Sequence, residues 1–398
     1  MRQRVSRRTF LAASAIGAAG TAASTRALAD HWPTGNAPPG HQPGQTGGQD
    51  EGDVPTPKEL PDLPSVPLTT RHDRGDAVIT RYHGNLEAND FGCWGDMRTG
   101  LIYVTQRATD RIAVFDRAKE EFVEVHTIPT DGSGAHAIRV DESTNSVWTT
   151  HGEASKIGRL VLDPETLRPH NFAEYTMPGD VRPERKPHGV AVHRGEVWFT
   201  DDRGDRVGVL DPATGLVHVI DQHIEADGIC IEQPRRSRGF RVWVTGGNMV
   251  TVIDGPSRKV LHEVQVKEEP GFSQLRLHDL VYDAQLNRTW ILSRGSDHVV
   301  WFDADDPRAG PKEFITPGET AAGLDHVGLG RYLWWTEGLQ NNLTRYDRHS
   351  KEKKVYEVPV PVGYFNPHGL WVAHRWREVW FTERESLCKL TFKDGRAP

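Results

Sequence analysis

An aromatic residue recurs seven times along this chain at intervals of 44 to 50 residues, each time within a short apolar segment. The segment is the second of two that flank a turn, as in Val197-Trp198-Phe199-Thr200-Asp201. Repeats of about 45 residues that each hold four short strands are typical of a β-propeller. We therefore predict an all-β, seven-bladed β-propeller over residues 76–398. The recurring residues are Tyr103, Trp148, Trp198, Trp243, Trp290, Trp334 and Trp380.

The last repeat lacks its fourth strand, because the chain stops soon after Lys389-Leu390-Thr391-Phe392. A spare apolar segment, Ala77–Tyr82, precedes the first repeat. Docking this segment onto the last blade would close the ring and leave no long bare edge. We expect an N-terminal strand that pairs with 386–392, and we expect the seven aromatic residues to pack between neighbouring blades rather than to stack on a ligand.

Residues 1–29 have the composition of an export signal. Ser6-Arg7-Arg8-Thr9-Phe10-Leu11 precedes an alanine-rich apolar run, and Ala27-Leu28-Ala29 offers a cleavage site between small residues. This segment resembles a bacterial twin-arginine signal, which predicts export to the periplasm or the medium. The apolar run is short for a bilayer span, so we expect no membrane span in the mature protein. Residues 30–75 are rich in glycine and proline and are predicted to form a disordered linker.

The charge and the cysteine content argue against nucleic acid and anionic membranes as partners and against a disulfide framework. Acidic residues outnumber basic ones by 55 to 48, and no basic run follows the N-terminal segment, so nucleic acid and anionic membranes are poor partners. The mean hydropathy of −0.58 fits a soluble chain, and we expect a monomer that binds a small molecule. Three cysteines, Cys93, Cys230 and Cys388, give no disulfide framework and are predicted to be unpaired and buried.

Polar residues recur at the start of the innermost strand of each repeat, next to the central channel. Six of these seven residues are histidine or aspartate, which predicts a functional site at the channel mouth, although ancestry of the repeats could also have copied a structural histidine. The series is Phe91, His136, His188, Asp227, His278, Asp325 and His368. A second series closes the second strands: Gln106, His151, Asp201, Gly246, Ser293, Glu337 and Glu383.

Hairpin pairing predicts that His368 lies beside Glu383 and His188 beside Asp201, because the second strand returns to the start of the first. An imidazole beside a carboxylate can bind a metal or move a proton, and it can also be a hydrogen-bonded pair that holds a turn. No nucleophile elbow and no Gly-rich phosphate loop occur. The chemistry available is therefore that of imidazole and carboxylate groups, which suits a divalent cation and a base.

The repeated pattern Pro-His-Gly, Val-Trp-Phe-Thr-Glu/Asp and Gly-x-Leu-Asp-Pro-x-Thr-Gly resembles the virginiamycin B lyase (streptogramin lyase) family, most clearly at 187–215 and 367–383. The resemblance covers about residues 77–398. It implies a seven-bladed propeller that opens an ester in a cyclic depsipeptide without water. In that reaction a base removes the proton α to a carbonyl, the ester oxygen leaves, and magnesium held by glutamates stabilises the charge.

The resemblance assigns His368 as the general base and Glu383 as a metal ligand. The family has a second glutamate where this chain has Asn366, and a histidine where this chain has Asp325. We therefore expect Glu337 and Asp325 to complete a magnesium or calcium site. The candidate catalytic residues are His368, His188, His136 and His278, and the candidate metal ligands are Glu383, Glu337, Asp325, Asp201 and Asp227.

Three other functions remain open at this point. One is a calcium-dependent, lactonase-like hydrolase that uses a carboxylate-rich metal site and water. Another is a non-catalytic propeller that binds a ligand or partner at the mouth, with structural histidines. The third is a copper site, which a histidine-rich hub would suit, although interspersed aspartates favour harder cations. The predicted substrate is a cyclic ester or a sugar-like molecule.

Overall fold

The structure, a computed structural model, describes residues 69–83, 90–177, 186–221, 225–234, 239–267, 275–294, 296, 298–315, 324–338, 340–359, 367–383 and 386–398. The predicted signal and most of the predicted linker lie outside these residues and stay predictions. So do Asn366 and the side chains of Phe91 and Asp325. One correction applies to the linker, because its last part, 69–74, forms a strand.

Twenty-nine strands form the described part of the fold, and β1 (Thr69–Arg74) and β2 (Ala77–His83) come before the repeats. The next 24 strands form six four-stranded antiparallel blades. Blade 1 comprises β3 (Asp90–Gly95), β4 (Leu101–Gln106), β5 (Arg111–Asp116) and β6 (Glu121–Thr127). Blade 2 comprises β7 (Ala135–Asp141), β8 (Ser146–His151), β9 (Lys156–Leu162) and β10 (Pro169–Thr176). Blade 3 comprises β11 (Pro187–His193), β12 (Glu196–Asp201), β13 (Arg206–Asp211) and β14 (Leu216–Asp221).

The second half of the ring repeats this plan. Blade 4 comprises β15 (Ile229–Glu232), β16 (Arg241–Gly246), β17 (Met249–Asp254) and β18 (Lys259–Gln265). Blade 5 comprises β19 (Leu277–Asp283), β20 (Arg288–Ser293), β21 (His298–Asp303) and β22 (Glu313–Ile315). Blade 6 comprises β23 (Leu324–Leu329), β24 (Leu333–Glu337), β25 (Asn342–Tyr346) and β26 (Lys353–Glu357). Blade 7 begins with β27 (Leu370–Ala373), β28 (Glu378–Glu383) and β29 (Ser386–Phe392).

The seventh blade is completed by the N-terminal strands, as the sequence predicted. β2 pairs with β29 from Ala77 opposite Phe392 to His83 opposite Ser386. β1 then pairs with β2 as a fifth, outermost strand, which the sequence analysis did not predict. Because strands from the two ends of the chain share one sheet, the propeller is closed by backbone hydrogen bonds.

The recurring aromatic residues form the cores between blades, also as predicted. Each of the seven is at most 1% exposed. Each belongs to a separate apolar cluster that spans two neighbouring blades, such as Trp334 with Ile79 and Phe392 between blades 6 and 7. One large side chain at the same register of every blade thus fills every junction, which accounts for the spacing in the sequence.

Helix is scarce in this fold. Within the described ranges it is limited to a single 3₁₀ turn, Pro307–Ala309, in blade 5. No helix among these residues is long and apolar enough to cross a membrane. Innermost strands of neighbouring blades contact one another around the whole ring, including β27 with β3, so that their inward side chains line the central channel.

Candidate functional site

Five histidines from blades 2, 3, 5, 6 and 7 meet at the end of the channel where the innermost strands begin. They line one cavity of about 50 Å³. Their rings follow one another around the axis with centroid distances of 4.2 Å (His136–His188), 5.5 Å (His188–His278), 6.0 Å (His278–His326), 4.7 Å (His326–His368) and 6.3 Å (His368–His136). We call this set the histidine ring. Four of its members were predicted from the sequence, and His326 was not.

A β-bulge accompanies four of these five histidines, those of blades 2, 3, 5 and 6. In blade 3, Pro187 is opposite Asp201 and Val190 is opposite Phe199, so the strand holds one extra residue between the two pairs. The same shift occurs in blades 1, 2, 5 and 6. A bulge of this kind re-aims a side chain relative to the regular ladder. The prediction that His188 lies beside Asp201 is therefore wrong, because Pro187 takes that position in the ladder.

A repeated threonine bridge fixes the backbone of the histidine ring. In blade 1, Thr105 Oγ1 accepts the Gly92 N–H at 2.9 Å and donates to the carbonyl oxygen of His136 at 2.7 Å. Equivalent bridges run from Thr150 to His188, from Thr200 to Asp227 and from Thr245 to His278. Each threonine follows the recurring aromatic residue by two positions. In blades 1 to 4 the bridge thus ties the start of the innermost strand to the next blade.

The junction between blades 5 and 6 departs from this pattern. Leu292 stands where the other six blades have threonine. Asp279 stands where blades 1, 3, 4 and 7 have glycine, and its Oδ2 accepts the Val327 N–H at 2.9 Å. A carboxylate from the innermost strand therefore replaces the hydroxyl group from the second strand, and it brings a charge into the channel.

The same carboxylate starts a chain of two imidazoles. Asp279 Oδ2 lies 3.2 Å from Nδ1 of His326, and His326 Nε2 lies 3.2 Å from Nδ1 of His368. An ionised carboxylate only accepts hydrogen bonds, so a neutral His326 carries its proton on Nδ1 and accepts at Nε2. His368 must then donate from Nδ1, which leaves the lone pair on its Nε2. We call these three residues the Asp-His-His chain.

The pKa of Asp279 is consistent with an ionised carboxylate. Burial would raise this pKa, but the hydrogen bond and charge interaction with His326, together with the positive charge of Arg139, hold it below its ordinary value. A second buried carboxylate, Asp227, lies 2.8 Å from His188 Nδ1 and 2.9 Å from His278 Nδ1. Although burial opposes ionisation, these two histidines keep the pKa of Asp227 well below its usual range. Both carboxylates therefore orient imidazoles through Nδ1.

The environment of His136 favours the neutral form of its imidazole. Burial and the neighbouring His188 and His368 rings lower its pKa well below 6.5. A neutral imidazole is the form that accepts protons or metals, so His136 is suited to act as a base.

The predicted metal ligands whose side chains the structure describes do not come together. Burial raises the pKa of Glu383, and its carboxylate is held by Arg81 through three contacts of 2.7 to 3.1 Å and by the Cys388 thiol. Glu337 accepts hydrogen bonds from Trp335, Asn342 and Thr344 within its own blade. Asp201 accepts the Lys186 N–H at 3.0 Å. These three carboxylates are absent from the lining of the cavity, which of the predicted ligands includes Asp227.

The backbone of His368 pairs with Thr382, the residue before its predicted partner Glu383. The His368 N–H donates to the carbonyl oxygen of the adjacent Thr382 at 2.9 Å, whereas its Nδ1 contacts His326 across the junction between blades. Among the described residues, no group of three histidine, cysteine, aspartate or glutamate side chains is arranged to hold a metal ion. The described residues therefore do not form the carboxylate site that was predicted for magnesium or calcium.

Three residues of the cavity lining were missed by the sequence analysis: Asp279, His326 and Arg139. All three lie one or three positions after a residue of the predicted polar series (His136, His278 or Asp325), where most blades have glycine or an apolar residue. Comparing these positions across the seven repeats would have revealed them. His326 follows Asp325 directly and is equivalent to Asp279 of blade 5, so the histidine of blade 6 lies one position after the histidines of the other blades.

The three cysteines are free, as predicted. Cys93 and Cys388 are buried and Cys230 is partly buried. Burial raises the pKa of all three thiols, which makes them poor nucleophiles.

Comparisons with known proteins show the same architecture. No protein-family model and no curated protein matches the chain. A solved structure of streptogramin B lyase superposes with a TM-score of 0.66 and 19% identity, covering 80% of this chain and 98% of the other. The U3-55K structure gives a TM-score of 0.60 at 11% identity, covering 79% and 98%. The dihydro-heme d1 dehydrogenase NirN gives 0.51 at 14%, covering 74% and 65%. At these identities the similarity establishes the fold, and that fold is a seven-bladed β-propeller.

Proposed function

We propose that this chain is a carbon–oxygen lyase that opens an ester by proton abstraction and elimination at the channel mouth. The Asp-His-His chain is the observation that carries the proposal, because it leaves a basic Nε2 on His368. The structural similarity to streptogramin B lyase supports the same reaction class. The substrate would carry an acidic C–H next to a carbonyl and an ester oxygen on the neighbouring carbon.

The residues of the Asp-His-His chain have separate roles in this reaction. His368 Nε2 removes the proton α to the carbonyl, and the electron pair forms a carbon–carbon double bond. The carbon–oxygen bond on the neighbouring carbon breaks, and the oxygen leaves as a carboxylate. His326 and Asp279 hold His368 in the required tautomer and stabilise the imidazolium that forms, as a carboxylate does in other histidine bases. A positioned base of this kind contributes about 10²- to 10⁴-fold to the rate.

A divalent cation, magnesium or calcium, stays a prediction from the family resemblance. The described residues do not supply its carboxylate ligands, so no step above depends on it. The lactonase-like hydrolase requires such a metal site and is therefore less well supported. A binding protein without activity remains the main competitor, since histidines that hold carboxylates can be purely structural.

Isotope labelling with a depsipeptide ester as substrate tests the proposal. Elimination forms a double bond and takes no oxygen from water, so turnover in H₂¹⁸O should leave the products unlabelled. His368→Ala should lose about 100-fold or more of the activity. His349→Ala, at an exposed histidine, is the matched control and should keep it. Incorporation of ¹⁸O would indicate a hydrolase, and full activity of folded His368→Ala would reject this base.

A further inference from the structure

A single arginine, Arg139 of blade 2, lines the cavity that also holds the histidine ring. Its guanidinium stacks on Trp94, with 4.2 Å from the guanidinium carbon to the ring centroid. Nη1 donates to the carbonyl oxygen of Ile138 at 2.8 Å. These two contacts account for one of its five N–H groups, and within the described part of the chain no carboxylate lies at ion-pair distance from it.

The acidic groups of the cavity are already engaged. Asp227 is shared between two histidines. Asp279 accepts at Oδ1 from the Leu280 N–H at 3.0 Å and at Oδ2 from Val327 and His326. Asp279 is near enough to Arg139 for their charges to influence each other's pKa values, yet the two side chains form no ion pair. Arg139 thus faces the cavity without an anionic partner.

An unpaired guanidinium that is half-buried inside a channel is costly. Arginine stays protonated in proteins, and a buried charge is normally paired, because its desolvation is otherwise uncompensated. Burial lowers the pKa of Arg139, as expected for a cation that is poorly hydrated. Stacking on Trp94 fixes the plane of the guanidinium and leaves its edge available for the two oxygens of a carboxylate.

We propose that Arg139 is an anion-binding residue and that the ligand of this channel carries a carboxylate, which the guanidinium binds edge-on beneath the histidine ring. This inference rests on the proposed function in one respect only, the class of reaction. It specifies that the ester substrate is itself an acid, or that the departing carboxylate stays bound at Arg139. Binding of a carboxylate can be measured without turnover, so the two proposals fail separately.

The test uses sodium acetate as the probe and acetamide as its neutral isostere, with the full chain labelled with ¹⁵N-arginine. The Nε–H signal of Arg139, assigned by its loss in Arg139→Lys, should shift saturably with acetate and not with acetamide. Arg139→Met should weaken acetate binding by about tenfold or more in calorimetry. Arg288→Met is the matched control, because Arg288 also stacks on a tryptophan, Trp301, at 3.8 Å, but lies outside the cavity lining.

Each result of the acetate titration either supports or overturns the anion site at Arg139. A saturable shift in the wild-type chain supports the site even if Arg139→Met does not fold, because that measurement needs only the native protein. An Nε–H signal that acetate does not move would overturn it. Equal acetate binding by folded Arg139→Met would also overturn it. An equal response to acetamide would show that the site binds polar molecules without a preference for anions, which rejects the proposal.

Discussion

The junction between blades 4 and 5 and the junction between blades 5 and 6 solve one structural problem in different ways. In the first, Thr245 accepts the Gly228 N–H at 3.2 Å and donates to the carbonyl oxygen of His278. In the second, Leu292 cannot form a bridge, and Asp279 accepts the Val327 N–H directly. The first bridge is neutral and structural, whereas the second is charged and reaches His326. The difference shows that the charged group beside His326 lies at the junction where the repeat pattern is interrupted.

The regular junction should be the less tolerant of added volume. A Cβ at Gly228 would clash with the carbonyl oxygen of His278 and lie 2.7 Å from Thr245 Oγ1. We expect Gly228→Ala to lower the free energy of unfolding by about 3 kcal/mol, because the His278 carbonyl belongs to the backbone of a packed strand and cannot move aside. Thermal or urea unfolding measures the change.

Ala137→Gly is the control, since blade 2 tolerates a methyl group at the equivalent position. It should cost no more than about 1 kcal/mol. If Gly228→Ala unfolds like the wild type, the bridge is not a tight constraint and the comparison loses its basis.

The irregular junction should matter more for activity. Asp279→Asn keeps the size of the side chain and removes its charge, and its amide can donate to His326 Nδ1. That would favour the wrong tautomer of His326 and then of His368. We expect a loss of about 100-fold in kcat, equal to about 2.7 kcal/mol in the barrier. Steady-state kinetics on the ester measures it.

A change at a regular bridge serves as the contrast. Thr105→Val removes the hydroxyl that joins Gly92 to His136, which should cost about 1 to 3 kcal/mol of stability for the unsatisfied backbone groups. Its kcat should stay within a few-fold of the wild type, because His368 keeps its partners. Equal losses of kcat in Thr105→Val and Asp279→Asn would mean that both junctions act only through packing.

The same contrast explains what the sequence could reveal. The seven aromatic residues predicted the blades because each fills one junction at one register, and the missing strand of blade 7 predicted the closure by β2. His136, His188, His278 and His368 were found because they share a position in the repeat. Asp279 and His326 were missed because they break the repeat.

The errors about Glu383 and Asp201 have a different cause. Spacing in the sequence does not reveal a β-bulge, so the ladder was extended in regular pairing up to the channel. The bulge moves Pro187 into the position expected for His188. Arg81, which forms an ion pair with Glu383, lies about 300 residues away in the sequence. Local sequence patterns therefore could not predict this contact.

The protonation of His368 is the most direct test of the account. Long-range ¹H–¹⁵N spectra of the histidine side chains distinguish a protonated Nδ1 from a protonated Nε2. The account predicts that His326 and His368 both carry the proton on Nδ1 at neutral pH, and that Asp279→Asn abolishes this preference at His326. A proton on Nε2 of His368 in the wild-type protein would contradict the account, because no basic lone pair would then be available for the proposed elimination.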